Sequence, residues 1–194
     1  MDTPYTWTVD VDGGDYGGRT NGIQGIKEGL PIILEIFRAY KIKALFFISS
    51  EIAIDNRGSI QRIIEHGHEI GSHGHFHIRY KDEWRALQDK KISELLLETF
   101  KSSSQKTLRY RAPWFNFKVS GELYSHRKGH VSILKQTWFG GRLPNDPIFY
   151  IHPFDIVRGS NFPNIFTRVL YSNPDRVLDT FKRLCRLYPG KGLE

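Results

Sequence analysis

The chain has 194 residues, of which 39% are hydrophobic and 25% charged, with a formal charge of +7 and one cysteine. That length buries one sizeable core, so a single domain over residues 1–194 is expected, and the lone Cys185 excludes an internal disulfide. The opening Met1-Asp2-Thr3-Pro4-Tyr5 lacks the features of an export signal and the apolar runs are short for a membrane span, so a cytoplasmic location with at most peripheral membrane contact is expected.

The elements follow in order. Tyr5 to Val11 reads as a first strand, leading into the glycine-rich Gly13-Gly14-Asp15-Tyr16-Gly17-Gly18 loop. Leu30, Ile33, Leu34 and Phe37 share one helical face, with Pro31 acceptable in the first turn. Ala44 to Ile48 is a fully apolar second strand, of the kind covered on both faces in a parallel sheet. A short helix near Ser59 to His66 precedes the strand or turn carrying His73. Ile92, Leu95, Leu96 and Phe100 mark a longer helix over Asp82 to Ser103, and Thr107 to Arg111 returns to the sheet. Val131 to Thr137 and Ile148 to Ile151 read as later strands. Asn173 caps a final helix with Pro174 at its first position, Asp175 in its first turn and a stripe of Val177, Phe181, Leu184 and Tyr188, ending at Pro189-Gly190. Strands alternating with helices imply an α/β fold with parallel strands and outer helices.

Two clusters carry the chemistry. Asp10 and Asp12 lie two apart, so on a strand both face one side. His73 and His77 lie four apart in Gly71-Ser72-His73-Gly74-His75-Phe76-His77, a spacing that suits two imidazoles on one ion. His75 joins them if the segment is extended and points elsewhere if it is helical. His73 and His77 are favoured because an aspartate already offers the third ligand, and two histidines with one carboxylate leave a position open for water. Arg111-Ala112-Pro113-Trp114 and Tyr150-Ile151-His152-Pro153 each follow a predicted strand.

In these motifs and their order, residues 5 to 155 resemble the polysaccharide deacetylases of the NodB-homology fold, carbohydrate esterase family four. The resemblance implies a distorted (β/α) barrel with its site at the carboxyl ends of the strands. It also implies roles: Asp10 as catalytic base, Asp12, His73 and His77 as ligands of a divalent metal, most simply zinc, and Arg111 as the partner of Asp10. The Trp114 backbone N–H takes the place of an oxyanion donor, and His152 that of the general acid. Metal-assisted removal of an acetyl or formyl group from an amino sugar follows.

Val11 separates the two aspartates that the family usually has adjacent. This variant, with the Gly-rich loop and the Gly29-Leu30-Pro31 helix start, resembles the branch of lipid-linked aminosugar deformylases. The family's acidic motif between Trp114 and Ile148 has no clear match, and Asp146 or Asp155 is the candidate substitute. The expected substrate is a cytoplasmic amino-sugar precursor of surface polysaccharide or glycolipid, carrying a nucleotide or lipid-phosphate handle. Trp114, Trp138 and Tyr150 are candidates to stack on its ring. Alternatives are a cyclic-amide or ureide hydrolase of the same superfamily and a catalytically silent glycan-binding module. Basic clusters at Lys41-Ile42-Lys43, Lys90-Lys91 and Lys182-Arg183 are short and dispersed, so no nucleic-acid partner is expected.

Overall fold

The computed structural model describes residues 6–13, 19–115, 129–157 and 169–190. Tyr5 and Gly14 to Gly18 of the glycine-rich loop lie outside the described residues. Six strands, β1 (Trp7–Val11), β2 (Leu45–Ile48), β3 (Glu69–Ser72), β4 (Arg109–Tyr110), β5 (His130–Ser132) and β6 (Ile148–Ile151), form one sheet in the order β4-β3-β2-β1-β6-β5. Every pairing is parallel. The expected α/β architecture of parallel strands and outer helices is therefore present, with the helices α1 (Arg19–Gln24), α2 (Leu30–Ala39), α3 (Ser50–Asp55), α4 (Arg57–Glu65), α5 (Glu83–Glu98), α6 (Ile133–Phe139) and α7 (Pro174–Leu187).

The period-2 alternation of β1 divides the sheet's faces. Trp7, Val9 and Val11 enter the main core with Ile33 and Phe37 of α2 and Val177 and Phe181 of α7. The Trp7 ring stacks on Phe149 at 4.7 Å and meets Phe37 and Phe181 edge-on at 5.9 and 5.5 Å. Its indole N–H donates to the Tyr188 carbonyl at 2.7 Å, which ties the end of α7 to the first strand. An aromatic so enclosed contributes on the order of 3 kcal/mol by burial. Thr8 and Asp10, also buried, take the other face.

Four sequence expectations are corrected. The helix leading to Phe37 starts at Arg19, and a π turn over Gly25–Gly29 joins α1 to α2. That wider turn accommodates Pro31, which has no N–H to give to a regular ladder. The helix placed near Ser59 to His66 starts earlier, at Arg57, and α3 precedes it. The strand read over Val131 to Thr137 ends at Ser132, whose hydroxyl accepts from the Lys135 N–H at 3.3 Å and caps α6. Ile133, Leu134 and Thr137 are buried on that helix, a helical spacing that outweighs the β-branched composition. Finally, α5 runs from Glu83 to Glu98 with Asp82 as its cap, and it does not turn Ile92 and Leu95 inward: they are 45% and 64% exposed. Its buried positions are Ala86, Asp89, Ser93 and Leu97; Leu97 enters the main core, while Asp89 turns to the polar loop after β3.

Candidate metal centre

Parallel register sets the site. Val11 pairs with Ile48, Ile48 with Ser72 and Ser72 with Tyr110, so the residues just beyond, Asp12, His73 and Arg111, emerge together at the carboxyl ends of the strands. Val9 pairs with Ile151 on the other flank, which brings His152 level with Asp10.

Asp12, His73 and His77 offer ligand atoms that all lie within 4.8 Å of one another. The His73 and His77 Nε2 atoms are 3.1 Å apart, and they stand 3.9 and 3.5 Å from Asp12 Oδ2. Donors around a tetrahedral ion at ~2.0–2.1 Å are separated by about 3.3 Å, so the three atoms match the faces of such a site. The tautomer fits as well. His73 Nδ1–H donates to the Arg111 carbonyl at 2.8 Å, which leaves the Nε2 lone pair facing the centre. Burial first of all pushes His73 down to about 3, so this ring is neutral and ready to ligate across the neutral range.

The backbone between the two histidines is neither strand nor helix. Gly74 at φ +79° and His77 at φ +53° turn it back on itself, which brings residues four apart to one point. His75 is turned aside, its Nδ1 at 2.8 Å from Ser50 Oγ. Asp89 of α5 clamps the turn. Its carboxylate accepts from the His75 N–H at 2.7 Å, the Phe76 N–H at 3.3 Å and the Tyr80 hydroxyl at 3.1 Å. Sequence reasoning missed Asp89, although a carboxylate on the inward face of a helix was a signal open to it. Thr8 was missed too: its hydroxyl accepts from Arg111 at 3.0 Å and donates to the Phe149 carbonyl at 3.0 Å.

Asp10 lies beside the cluster and has a different partner. The fully buried Arg111 guanidinium donates to its Oδ1 and sits 4.2 Å above the Phe47 ring. Burial alone would push Asp10 up, but Arg111, with His73 and His152, holds its carboxyl below the usual range. His152 presents Nε2 toward Asp12 Oδ2 at 3.8 Å and turns Nδ1 to Asp155 Oδ2 at 3.3 Å. The same carboxylate oxygen accepts from the His152 N–H at 2.8 Å. Burial opposes the charged imidazole, yet Asp155, Asp12 and Asp10 outweigh it and push His152 up to about 10. Asp155, rather than Asp146, is thus the acid beside the histidine. The turn bearing both rests on the π turn: a Cβ at Gly25 would lie 2.7 Å from the Phe154 nitrogen.

Trp114 stands at the rim, its backbone at φ +61° and its ring 6.2 Å from that of His77 in a stacked arrangement. The Tyr150 ring meets His152 edge-on at 5.9 Å, so it also borders the site. Trp138 does not: its indole N–H donates to the Leu170 carbonyl at 2.7 Å and Arg176 lies 4.9 Å over its ring, so it packs α6 against α7.

A sequence profile described as polysaccharide deacetylase matches residues 15–117. A peptidoglycan deacetylase of Helicobacter pylori is 27% identical over 131 residues, which cover 59% of this chain and 43% of that protein. The chain therefore spans less than half the length of the curated relative it matches. Among solved structures, a family 4 carbohydrate esterase pseudoenzyme from Bacillus anthracis superposes with a TM-score of 0.60 at 17% identity, over 93% of this chain and 60% of that one. A family 4 carbohydrate esterase from Streptomyces lividans, in complex with acetate, gives 0.53 at 13% identity, over 92% and 87% of the two chains. At such identities the likeness concerns the fold.

Proposed function

The chain belongs to the polysaccharide deacetylase family, and on that premise we propose that it is a metal-dependent hydrolase that removes an N-acyl group, acetyl or formyl, from an amino sugar. The observation that carries this reading is the convergence of Asp12, His73 and His77 beside an Asp10 already paired with Arg111.

Asp12, His73 and His77 would hold the ion, for which zinc fits a set of two imidazoles and one carboxylate. When bound it supplies Lewis acidity, polarising the acyl carbonyl and acidifying water. The chain's own groups do the rest. Asp10, kept ionised by Arg111, takes a proton from the attacking water as its oxygen bonds to the carbonyl carbon. The Trp114 backbone N–H is assigned to the oxyanion that develops there. As the C–N bond breaks, His152 Nε2 gives its proton to the departing amine, and Asp155 holds the imidazolium in place. A carboxylic acid and a free amino sugar result.

For the substrate, we propose a cytoplasmic N-acyl amino-sugar precursor with a nucleotide or lipid-phosphate handle, the formyl option following the deformylase-like Asp10-Val11-Asp12 spacing. The Helicobacter relative's name adds peptidoglycan fragments to the compounds to be tested. The experiment is metal quantification on protein purified without chelators, followed by a free-amine assay over N-acetyl and N-formyl sugar conjugates. About one ion per chain is expected, lost together with turnover in Asp12→Asn and His77→Ala. Full activity in metal-free protein would refute the proposal, and sugar binding without turnover in the metal-loaded protein would make it a binding module.

A further inference from the structure

The amino end of the sheet holds a second polar arrangement that the chemistry above does not use. His68 immediately precedes β3, at the opposite end of that strand from His73, and is 5% exposed. Its Nδ1 accepts from the Ala44 N–H at 3.2 Å. That bond fixes the tautomer, because a neutral ring whose Nδ1 accepts must carry its proton on Nε2. The ring is neutral: burial, then Lys43 and His66, push it down to about 3. Nε2–H is therefore a buried donor, directed away from Ala44, and among the described residues it has no hydrogen-bond partner. Leaving such a donor unmet costs about 1–3 kcal/mol. The flanking rings, Phe37 at 5.6 Å and Phe46 at 5.0 Å, offer an N–H at most a weak π contact.

His68 lines a cavity of about 470 Å³ whose other walls include Lys41, Lys43 and Arg38, with Glu65 as the acidic counterweight. Lys43 Nζ donates one hydrogen bond, to the His66 carbonyl at 3.1 Å, and its ammonium keeps two further protons. Arg38 is engaged with Glu35 at 2.7 Å. Lys41 and Lys43 thus border the cavity, with the buried neutral N–H of His68 behind its wall, an arrangement that favours an oxyanion over a cation. The Lys41-Ile42-Lys43 run also gains a structural reason: buried Ile42 between two exposed lysines anchors them at this mouth.

We propose that this cavity binds a phosphate-bearing anion, with His68 Nε2–H, Lys43 and Lys41 as its donors. The site lies at the far end of the strands from the metal centre, roughly 15 Å away along β2. It would grip a phosphoryl group without taking part in deacylation.

The probe is inorganic phosphate, followed by the imidazole resonances of His68 and by thermal unfolding, with chloride at matched ionic strength as control. Phosphate should shift the His68 Nε2–H signal and raise the melting temperature, and chloride should do neither. Lys41→Gln combined with Lys43→Gln should weaken phosphate binding by about tenfold while metal content stays at the wild-type level. His68→Gln, which keeps a donor of similar reach, should retain partial binding. Two further arms distinguish sources: a nucleoside diphosphate that binds more tightly than phosphate indicates a soluble ligand, and retention on phosphatidic acid vesicles indicates a lipid headgroup. An unmoved His68 signal with all three probes, or equal affinity in the double lysine variant, would overturn the proposal. Neither result bears on the deacylase reading, which is tested by metal content and amine release.

Discussion

Asp89 offers the sharpest test of how the candidate metal centre is built. Two backbone donors of the ligand loop, the N–H groups of His75 and Phe76, end on its carboxylate, which is 5% exposed. Hydrogen bonds to a charged acceptor contribute about 1.5–3 kcal/mol each, so Asp89→Ala removes roughly 3–6 kcal/mol of loop restraint before relaxation. Part of that loss falls on global stability and part on the ordering of His73 and His77. If half of it is charged to metal binding, affinity falls by about 10–100-fold. Asp89→Asn should lie between, since one amide oxygen still serves the His75 N–H. The assay is competition with a chromophoric chelator, run beside denaturant unfolding of the metal-free protein. Lowered stability with unchanged metal affinity would refute the reasoning, because the loop geometry would then be held by something other than this clamp.

Gly74→Ala should weaken the same site, since Gly74 sits at φ +79° and its Cβ would lie 2.6 Å from Asp89 Oδ2; the chelator competition that tests Asp89 checks it. Arg111→Met should leave Asp10 buried without its counter-charge, at a cost of about 3–5 kcal/mol. Because Asp10 is depressed in the fold, the stability it contributes is present above its ordinary 3.8 and lost as pH falls; without Arg111 that loss should begin at higher pH, as denaturant melts across acid pH would record. Asp155→Asn should lower His152 from about 10 and move the alkaline limb of activity to lower pH by more than about 1 unit. The stability that His152 contributes, complete below its ordinary 6.5 and lost as pH rises toward 10, should shrink in parallel, and a pH-activity profile with no shift of its alkaline limb would count against Asp155 as partner.

The fold was legible in the sequence where one periodicity ran unopposed. β2 is apolar throughout and α7 has a cap, a proline and a stripe, and both stand where the pattern put them. It was misread where local composition competed with a longer-range demand. Val131 to Thr137 is rich in strand formers, but Ser132 turns the chain into α6 once Ile133 and Leu134 find the core. On α5 the apolar residues suggested the wrong face, since the inward face serves the histidine loop and needs Asp89 and Ser93, the latter accepting from the Ser72 hydroxyl at 2.8 Å. The convergence of Asp12, His73 and His77 was legible because register in a parallel sheet brings strand ends together whatever lies between them. Their supporting partners were not, because Thr8, Asp89 and Asp155 are chosen by three-dimensional neighbours rather than by spacing.

The same register explains how two aspartates only two residues apart come to differ. Asp10 still lies on β1, where the guanidinium of Arg111 reaches back to its carboxylate and to the Thr8 hydroxyl on the same face of the sheet. Asp12 has just left the strand and meets imidazoles, with His73, His77 and His152 all within 3.9 Å of one of its oxygens. A guanidinium fixes and satisfies a carboxylate and leaves it an ionised proton acceptor. Two imidazoles and a carboxylate, those of His73, His77 and Asp12, instead bring several ligand atoms to one point, an arrangement that a cation would complete. Val11, buried in the main core between them, sets the spacing by anchoring the outer face. In the usual adjacent pair the two side chains would start on opposite faces of a strand, whereas here the shared face lets β1 present both without a distortion at its end. The proposed division into base and ligand rests on this difference between a residue on the strand and one just past it, and exchanging Asp10 and Asp12 for asparagine one at a time should separate them: Asp12→Asn should lose the ion, and Asp10→Asn should keep it while losing turnover by about 100-fold or more.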